Sequence, residues 1–490
     1  MKRAIFISIL SAICITVGGY STEAFSAEKR KESSQERTSV TVSSLKELLP
    51  YLKKDNVDLK MTPGLYRITA KDVENNMYKE RVEVYEGRIS PVLLLFQGNN
   101  STYDFEGVKI EVESAVVNAF EGKHAGVNEI QIIGNHNTIK NLKIEDVGSE
   151  DDFPRFGWVN IVMDGANNLI EGTEVISRGS KPYGYGETFG KGKGYVLKHW
   201  KHSSTLVRGD NNHFKNNRII HHAYGHFLFM QGAYNPTIEG CYIEGKMGST
   251  DAILAEKGTG SDADKIGFKS VWGYTVPAGY TLCLGEDGIR TYTAGVTLID
   301  GKRVSRKTGG KVTVKDCVVK HARGGVAITL GEGERYVENC TVIGCQNGFS
   351  VNSGGRIVNC RADAAFGDAF GVNYEHNRNI TADITIIPYE GEMYSGNGSR
   401  QVAFIQGTGH NITLRRGEGL EIDDELIIAV GGDKRSVGQL EKDENLKATE
   451  ITLVNETGYR VVVDDNASNN TIISRGEVID NGTENKITKQ

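Results

Sequence analysis

The chain has 490 residues, 59 of them Gly and 8 Pro, with 38% hydrophobic and 24% charged residues. This composition excludes a disordered chain, a collagen and a polytopic membrane protein. A formal charge of -6 argues against general nucleic-acid binding.

Met1-Lys2-Arg3 opens the chain with positive charge, Ala4 to Gly18 is an almost uncharged apolar run, and Ala24-Phe25-Ser26 offers small residues to a peptidase. Residues 1–26 therefore read as a secretory signal, too short to span a bilayer. Losing Lys2, Arg3 and Glu23 with it leaves 55 basic against 62 acidic residues, a charge of -7. The mature protein is expected in the periplasm or outside the cell, as a monomer with no membrane span. A lipoprotein acylated at Cys14 is the weaker alternative, because Ile13 is bulky where such sites take a small residue. Residues 27–41 are expected to be flexible, followed by one domain over 42–490.

From about residue 130 a weak unit of roughly two dozen residues repeats, the period range of solenoids. Asn212-His213-Phe214-Lys215-Asn216-Asn217-Arg218-Ile219 matches Arg335-Tyr336-Val337-Glu338-Asn339-Cys340-Thr341-Val342 in pattern. Strands this short, with period-two alternation, fit the coils of a parallel β-helix. Asn pairs at 167–168, 211–212, 216–217 and 469–470 suit the corners, since Asn tolerates left-handed backbone and its amide can bond along a stack. Cys317, Cys340 and Cys360 lie 23 and 20 residues apart in similar settings, with Cys241 in the same series. A small apolar residue at one repeat position reads as a buried stack of thiols rather than as crosslinks. The competing fold, a β-sandwich, should show hairpin turns and no cysteine stack.

These features resemble right-handed parallel β-helix polysaccharide lyases of the pectate-lyase-like class. The resemblance extends to the entry segment Val42-Ser43-Ser44-Leu45-Lys46-Glu47-Leu48-Leu49 and to Pro63-Gly64-Leu65-Tyr66. It implies an all-β solenoid with an N-terminal capping helix, which a solenoid needs to cover its open end.

Insertions interrupt the repeat at about 146–158, 178–201 and 246–311, and they carry Trp158, Trp200 and Trp272. Indoles on loops suit stacking on sugar rings, and equally suit packing the loops onto the barrel. Between Thr188 and His226 lie Lys191, Lys193, Lys198, Lys201, Arg208, Lys215 and Arg218 against one acid, Asp210. His199, His202, His213, His221, His222 and His226 share that stretch. A basic strip in an acidic protein points to an anionic ligand.

Placing Phe227 and Phe229 inward leaves His226, Leu228 and Met230 outward, and Ile289 inward leaves Arg290 and Tyr292 outward. Arg208, His226 and Arg290 would then share a face on successive coils. Elimination from a uronic-acid polymer needs a cation on the C5 carboxylate, a base for the α-proton and an acid for the leaving oxygen. The candidates are Arg208 with Lys198 or Lys201 on the carboxylate, His226 or His222 as base and Tyr224 as acid. His202, Arg290, Trp200, Trp158 and Trp272 are candidate substrate contacts.

Val207-Arg208-Gly209-Asp210-Asn211-Asn212-His213-Phe214 and Leu228-Phe229-Met230-Gln231-Gly232 are similar to the segments that carry the catalytic Lys and Arg in chondroitinase-B-type and alginate lyases. Arg208 and Gln231 stand in their places, which implies a distinct lyase family on the same fold. The resemblance also implies calcium, for which Asp251, Asp262, Asp264, Glu286 and Asp287 could supply oxygens. The substrate class so implied is an anionic glycan, either a glycosaminoglycan such as chondroitin, dermatan or hyaluronan, or alginate. Two alternatives stay open. One is a glycoside hydrolase using a pair from Asp251, Glu286, Asp287, Glu332 and Glu334; the other is a non-catalytic glycan-binding solenoid.

Overall fold

A computed structural model describes residues 36–490, apart from 86, 123–125, 150–152, 154–156, 192–193, 300, 375, 393–397, 433, 437–438 and 442–446. Each coil supplies three short strands to three parallel stacks. One coil comprises Leu169–Glu171, Glu174–Arg178 and His202–Val207; the next comprises His213–Lys215, Arg218–His222 and Leu228–Met230; the third comprises Thr237–Glu239, Tyr242–Glu244 and Ile289–Thr291. The register is continuous: Ile170 pairs with Phe214 and then Ile238, and Thr205 pairs with Leu228 and then Ile289. The protein is a right-handed parallel β-helix, the sense that crossovers between parallel strands follow.

The corners explain the asparagines. Asn167, Asn211, Asn216 and Asn469 have positive φ of 52–57°, which Asn tolerates better than other residues with a side chain. The second Asn of each of these pairs faces inward and bonds along the stack. The Asn137 N–H donates to the Asn168 carbonyl oxygen Oδ1 at 2.9 Å, and the Asn168 N–H donates to Asn212 Oδ1 at 2.9 Å. Each amide thus satisfies a backbone group that a corner would otherwise leave unpaired. Cys241, Cys317, Cys340 and Cys360 are buried and unbridged in the core, and the Cys340 N–H lies 3.4 Å from Cys360 Sγ.

Residues 1–35 lie outside the described residues, and Thr38–Val42 pairs in register with Val57–Met61 as the first strand of the second stack. The short helix Leu45–Leu48 follows this strand and buries Leu45 and Leu48. Ser44 caps it, accepting from the Glu47 N–H at 3.2 Å. Among the described residues no helix is long and apolar enough to cross a membrane.

The expected facing of one strand is reversed. Leu228 and Met230 lie in the central core, whereas Phe229 joins Val162 and Leu206 in a separate outer cluster. Phe227 does face inward, but it sits at a bend before the strand, so alternation restarts one residue later than the sequence pattern suggested. Cross-coil pairing of Leu228 with Ile289 fixes that parity.

Replacing Asn168 by Ala leaves the Asn137 N–H and the Gly134 carbonyl without their partners. We expect a loss of about 1–3 kcal/mol, measured by urea denaturation; a change below about 0.5 kcal/mol would mean that the amide ladder does not support the corners.

Candidate active site

The two long insertions pack on each other. Tyr185 and Phe189 of the first share a small core with Ile253, Ala263, Phe268, Val276, Leu282 and Leu284 of the second. Farther along, Ala294–Ile299 and Lys302–Lys307 form a hairpin. It is tied to the first stack where Thr297 Oγ1 accepts from the Gly209 N–H at 2.9 Å, and where Arg306 Nε donates to the Gly232 carbonyl at 2.9 Å.

Where these insertions meet the first stack, charged groups gather at the outward face. His226 is 4% exposed, and its Nε2 lies 2.6 Å from Tyr292 Oη and 3.3 Å from Glu286 Oε2. Its Nδ1 lies 3.9 Å from Asp287 Oδ2. Lys201 Nζ donates to Glu286 Oε1 at 2.6 Å. Arg323 grips Asp287 through Nε at 3.0 Å and Nη2 at 2.7 Å, and Arg290 adds its Nη1 to the same carboxylate. Arg323 also pairs with Glu187.

This arrangement sets the ionisation states. Although burial opposes its charge, Glu286 is held down at about 2, chiefly by His226 and Lys201. Burial lowers the His226 imidazole below its usual range against the pull of Glu286 and Asp287. Burial and Glu286 push Tyr292 up to about 12. At neutral pH the imidazole is therefore neutral and the phenol protonated. Their short contact can pass a proton in either direction.

Tyr292 stands one coil beyond Gln231, and Gln231 one beyond Arg208 and then Asp164; each accordingly bonds its backbone N–H to the preceding coil. Asp164 accepts from Arg303, lies 4.0 Å from Arg208 Nη1 and also accepts from Gln131 Nε2 at 2.9 Å. Two guanidiniums facing one carboxylate leave this end of the face with an excess of positive charge.

Several expected site residues lie elsewhere. Tyr224 is 1% exposed and donates its hydroxyl to the Gly190 carbonyl at 3.0 Å, which removes it as an acid for a bound glycan. His222 ends a third-stack strand, apart from the first-stack residues around His226. His202 is wholly buried and faces the interior, with the Trp158 ring 3.9 Å away; neither can contact substrate. Trp200 is half-buried beneath Lys198, whose Nζ lies 3.7 Å from the ring. Trp272 is exposed and stacked on Tyr274. The basic strip is not one face: His213–Lys215 belongs to the second stack and Arg218–His222 to the third, where Lys215 and Arg218 pair with Glu171 and Glu174. A stretch one coil long necessarily runs around the whole solenoid.

The proposed calcium ligands do not converge among the described residues. Asp251 and Asp264 accept backbone N–H groups around short helices, and Asp262 pairs with Lys265. Glu286 and Asp287 are already neutralised by Lys201, Arg290 and Arg323, so this set does not fit a calcium ion. Of the remaining hydrolase candidates, Glu332 pairs with Lys307 and Glu334 with Lys311.

Sequence reasoning noted that Tyr292 faces outward but gave it no role, and it missed Arg323 and Glu187. The available signal was strand alternation: with Ile289 inward, Arg290 and Tyr292 fall on the same outward face.

No protein-family profile matches the chain, and no curated protein does. Solved structures align with it over most of its length. A PL6 alginate lyase in complex with a trisaccharide covers 93% of this chain and 86% of its own, at 12% identity and a TM-score of 0.43. The alginate lyase AlyF-OU02 covers 91% and 86%, at 11% and 0.43. The PL6 family polysaccharide lyase Pedsa3628 from Pseudopedobacter saltans covers 91% and 92%, at 11% and 0.39. At these identities the chemistry has to be read from this chain's own residues.

Burial also sets an acid limit on stability. It lowers His199 to about 4 and His221 to about 3, and it lowers His202, His226 and His410 as well. Below the ordinary histidine value of about 6.5 the unfolded chain therefore binds more protons than the folded one. This contribution is complete above about pH 6.5 and is lost as pH falls toward the folded-state values. Glu129, Asp146 and Asp363, all raised by burial, act in the opposite sense but are outnumbered. The melting temperature should fall between about pH 7 and pH 5, and a flat profile would contradict these buried neutral imidazoles.

Proposed function

We propose that the protein is an exported polysaccharide lyase that cleaves an anionic, uronic-acid-containing glycan by β-elimination. The observation that carries this reading is the contact of Tyr292 Oη with His226 Nε2 on a face with excess guanidinium charge. Tyr292, partly exposed, meets the sugar: having passed its own proton to His226, it takes the C5 proton, and as the C4=C5 double bond forms and the C4–O bond breaks it delivers a proton to the leaving glycosidic oxygen. His226 behind it takes up or returns the phenolic proton, and Glu286 and Asp287 stabilise the imidazolium while it exists. Arg290 and Arg208 neutralise the uronate carboxylate, which makes the C5 proton acidic. Arg290 suits this task because its planar fork presents donors beyond the Nη1 that serves Asp287.

A hydrolase is less well supported. It needs one carboxyl kept protonated near neutral pH, whereas Glu286 is held at about 2 and the raised carboxyls, Glu129, Asp146 and Asp363, are buried.

Purified protein is incubated with chondroitin, dermatan, hyaluronan, heparin-type, alginate and pectic polymers, following the ultraviolet absorbance of the new conjugated double bond together with reducing ends. Both signals rising together are expected on at least one polymer. Reducing ends without absorbance would mean hydrolysis, and neither signal would leave a binding solenoid. On the active polymer, Tyr292→Phe and His226→Gln should each lower kcat by about 10²-fold or more. The acid limb of kcat/KM should lie below about pH 6.5, because burial lowers the imidazole value. Near-normal rates in both variants would place the chemistry elsewhere.

A further inference from the structure

We propose that Glu129, Asp146 and His202 bind a divalent transition-metal ion inside the solenoid, at a site distinct from the outward face that carries Tyr292. Glu129 comes from Val127–Ile132 and His202 from His202–Val207, two coils apart in the first stack, and Asp146 comes from Lys143–Val147 in the third. One ligand atom from each lies within 4.8 Å of the others. The three residues are 2%, 1% and 0% exposed. The Asp146 carboxyl and the Asn160 amide stand beside Glu129 without meeting its oxygens in good hydrogen-bond geometry, and His202 Nε2 has no partner. Two acids facing one another in an apolar interior are costly unless a cation or a proton joins them.

The surroundings resemble the outer sphere that metal ligands require. His202 Nδ1 lies 2.5 Å from the Arg178 carbonyl and 3.6 Å from Asp146 Oδ2, so it is the ring nitrogen that faces the carboxylates, and an ion there would take its lone pair in exchange for the carbonyl hydrogen bond. Asp146 is oriented by the Arg178 N–H at 2.9 Å and by Asn160 Nδ2 at 3.2 Å. Ser177 Oγ in turn donates to Asn160 Oδ1 at 2.6 Å. One imidazole with two carboxylates suits zinc or manganese better than calcium or magnesium, which favour all-oxygen sets. Because no glycan can reach this position, the ion's role is to tie the third stack to the first beneath the insertions that build the outward face.

The full chain is unfolded in guanidinium with a chelator, refolded with Zn²⁺, Mn²⁺ or Ca²⁺, exhaustively dialysed and assayed for bound metal by mass spectrometry. We expect stoichiometric zinc or manganese but not calcium, and a melting temperature several degrees above that of the metal-free chain. Glu129→Gln, which keeps the shape, should lose the ion and the added stability, as should Asp146→Asn. Co²⁺ should give visible absorption bands in the parent that are absent from Glu129→Gln. No retained transition metal in the parent protein would overturn the proposal and leave the two carboxyls joined by a proton. Equal retention by a folded Glu129→Gln or Asp146→Asn would also overturn it, by assigning the metal to surface histidines. This outcome is independent of the lyase reading, since metal content is measured without substrate.

Discussion

Everything in this molecule depends on backbone hydrogen bonds running from coil to coil. Each strand of three to six residues is too short to be stable alone and gains its partners only from the coils before and after it. Parallel pairing fixes the register, the register fixes which side chains form columns, and the columns make both the apolar core and the outward face. The corners are the weak points of such a stack, because the chain turns there and its N–H groups lose strand partners. The inward amides of Asn137, Asn168 and Asn212 restore those bonds, so the asparagines act as extensions of the backbone ladder.

The same rigidity lets the protein hold charge where a softer fold would not. Glu286 and Asp287 are almost fully buried, yet each meets at least two cationic or polar partners from separate coils. Burial alone would push the Glu286 carboxyl up, but His226 and Lys201 hold it down; burial itself keeps His226 neutral, against the pull of the two carboxylates. In the interior the balance goes the other way. Glu129 and Asp146 meet no lysine or arginine side chain at hydrogen-bond distance and are raised. Residue type is therefore a poor guide to charge state here, and the number of fixed partners is a good one.

The architecture was legible because it is periodic. Cys317, Cys340 and Cys360 recur one coil apart, and the Asn pairs mark corners, so spacing alone indicated stacked coils. The site was less legible for the same reason: periodicity is lost in the insertions. His226 and Tyr292 are 66 residues apart with the long insertion between them, and nothing local to either marks the contact. His202 and Trp158 looked like loop residues poised for substrate, but both begin first-stack strands and pack inward. The basic stretch at 188–226 seemed to form one surface because it is contiguous in sequence, whereas in a solenoid contiguity over one coil distributes residues around the whole circumference.

The amino-acid sequence by itself determined the parallel β-helix, its Asn corners and its thiol stack, because these follow from local propensity repeated at a fixed interval. Only the tertiary structure decided which face each side chain occupies and which charges survive burial. Strand alternation specifies two faces without naming them; a single bend at Phe227 exchanged inside and outside, and only pairing with the neighbouring coil settled which was which.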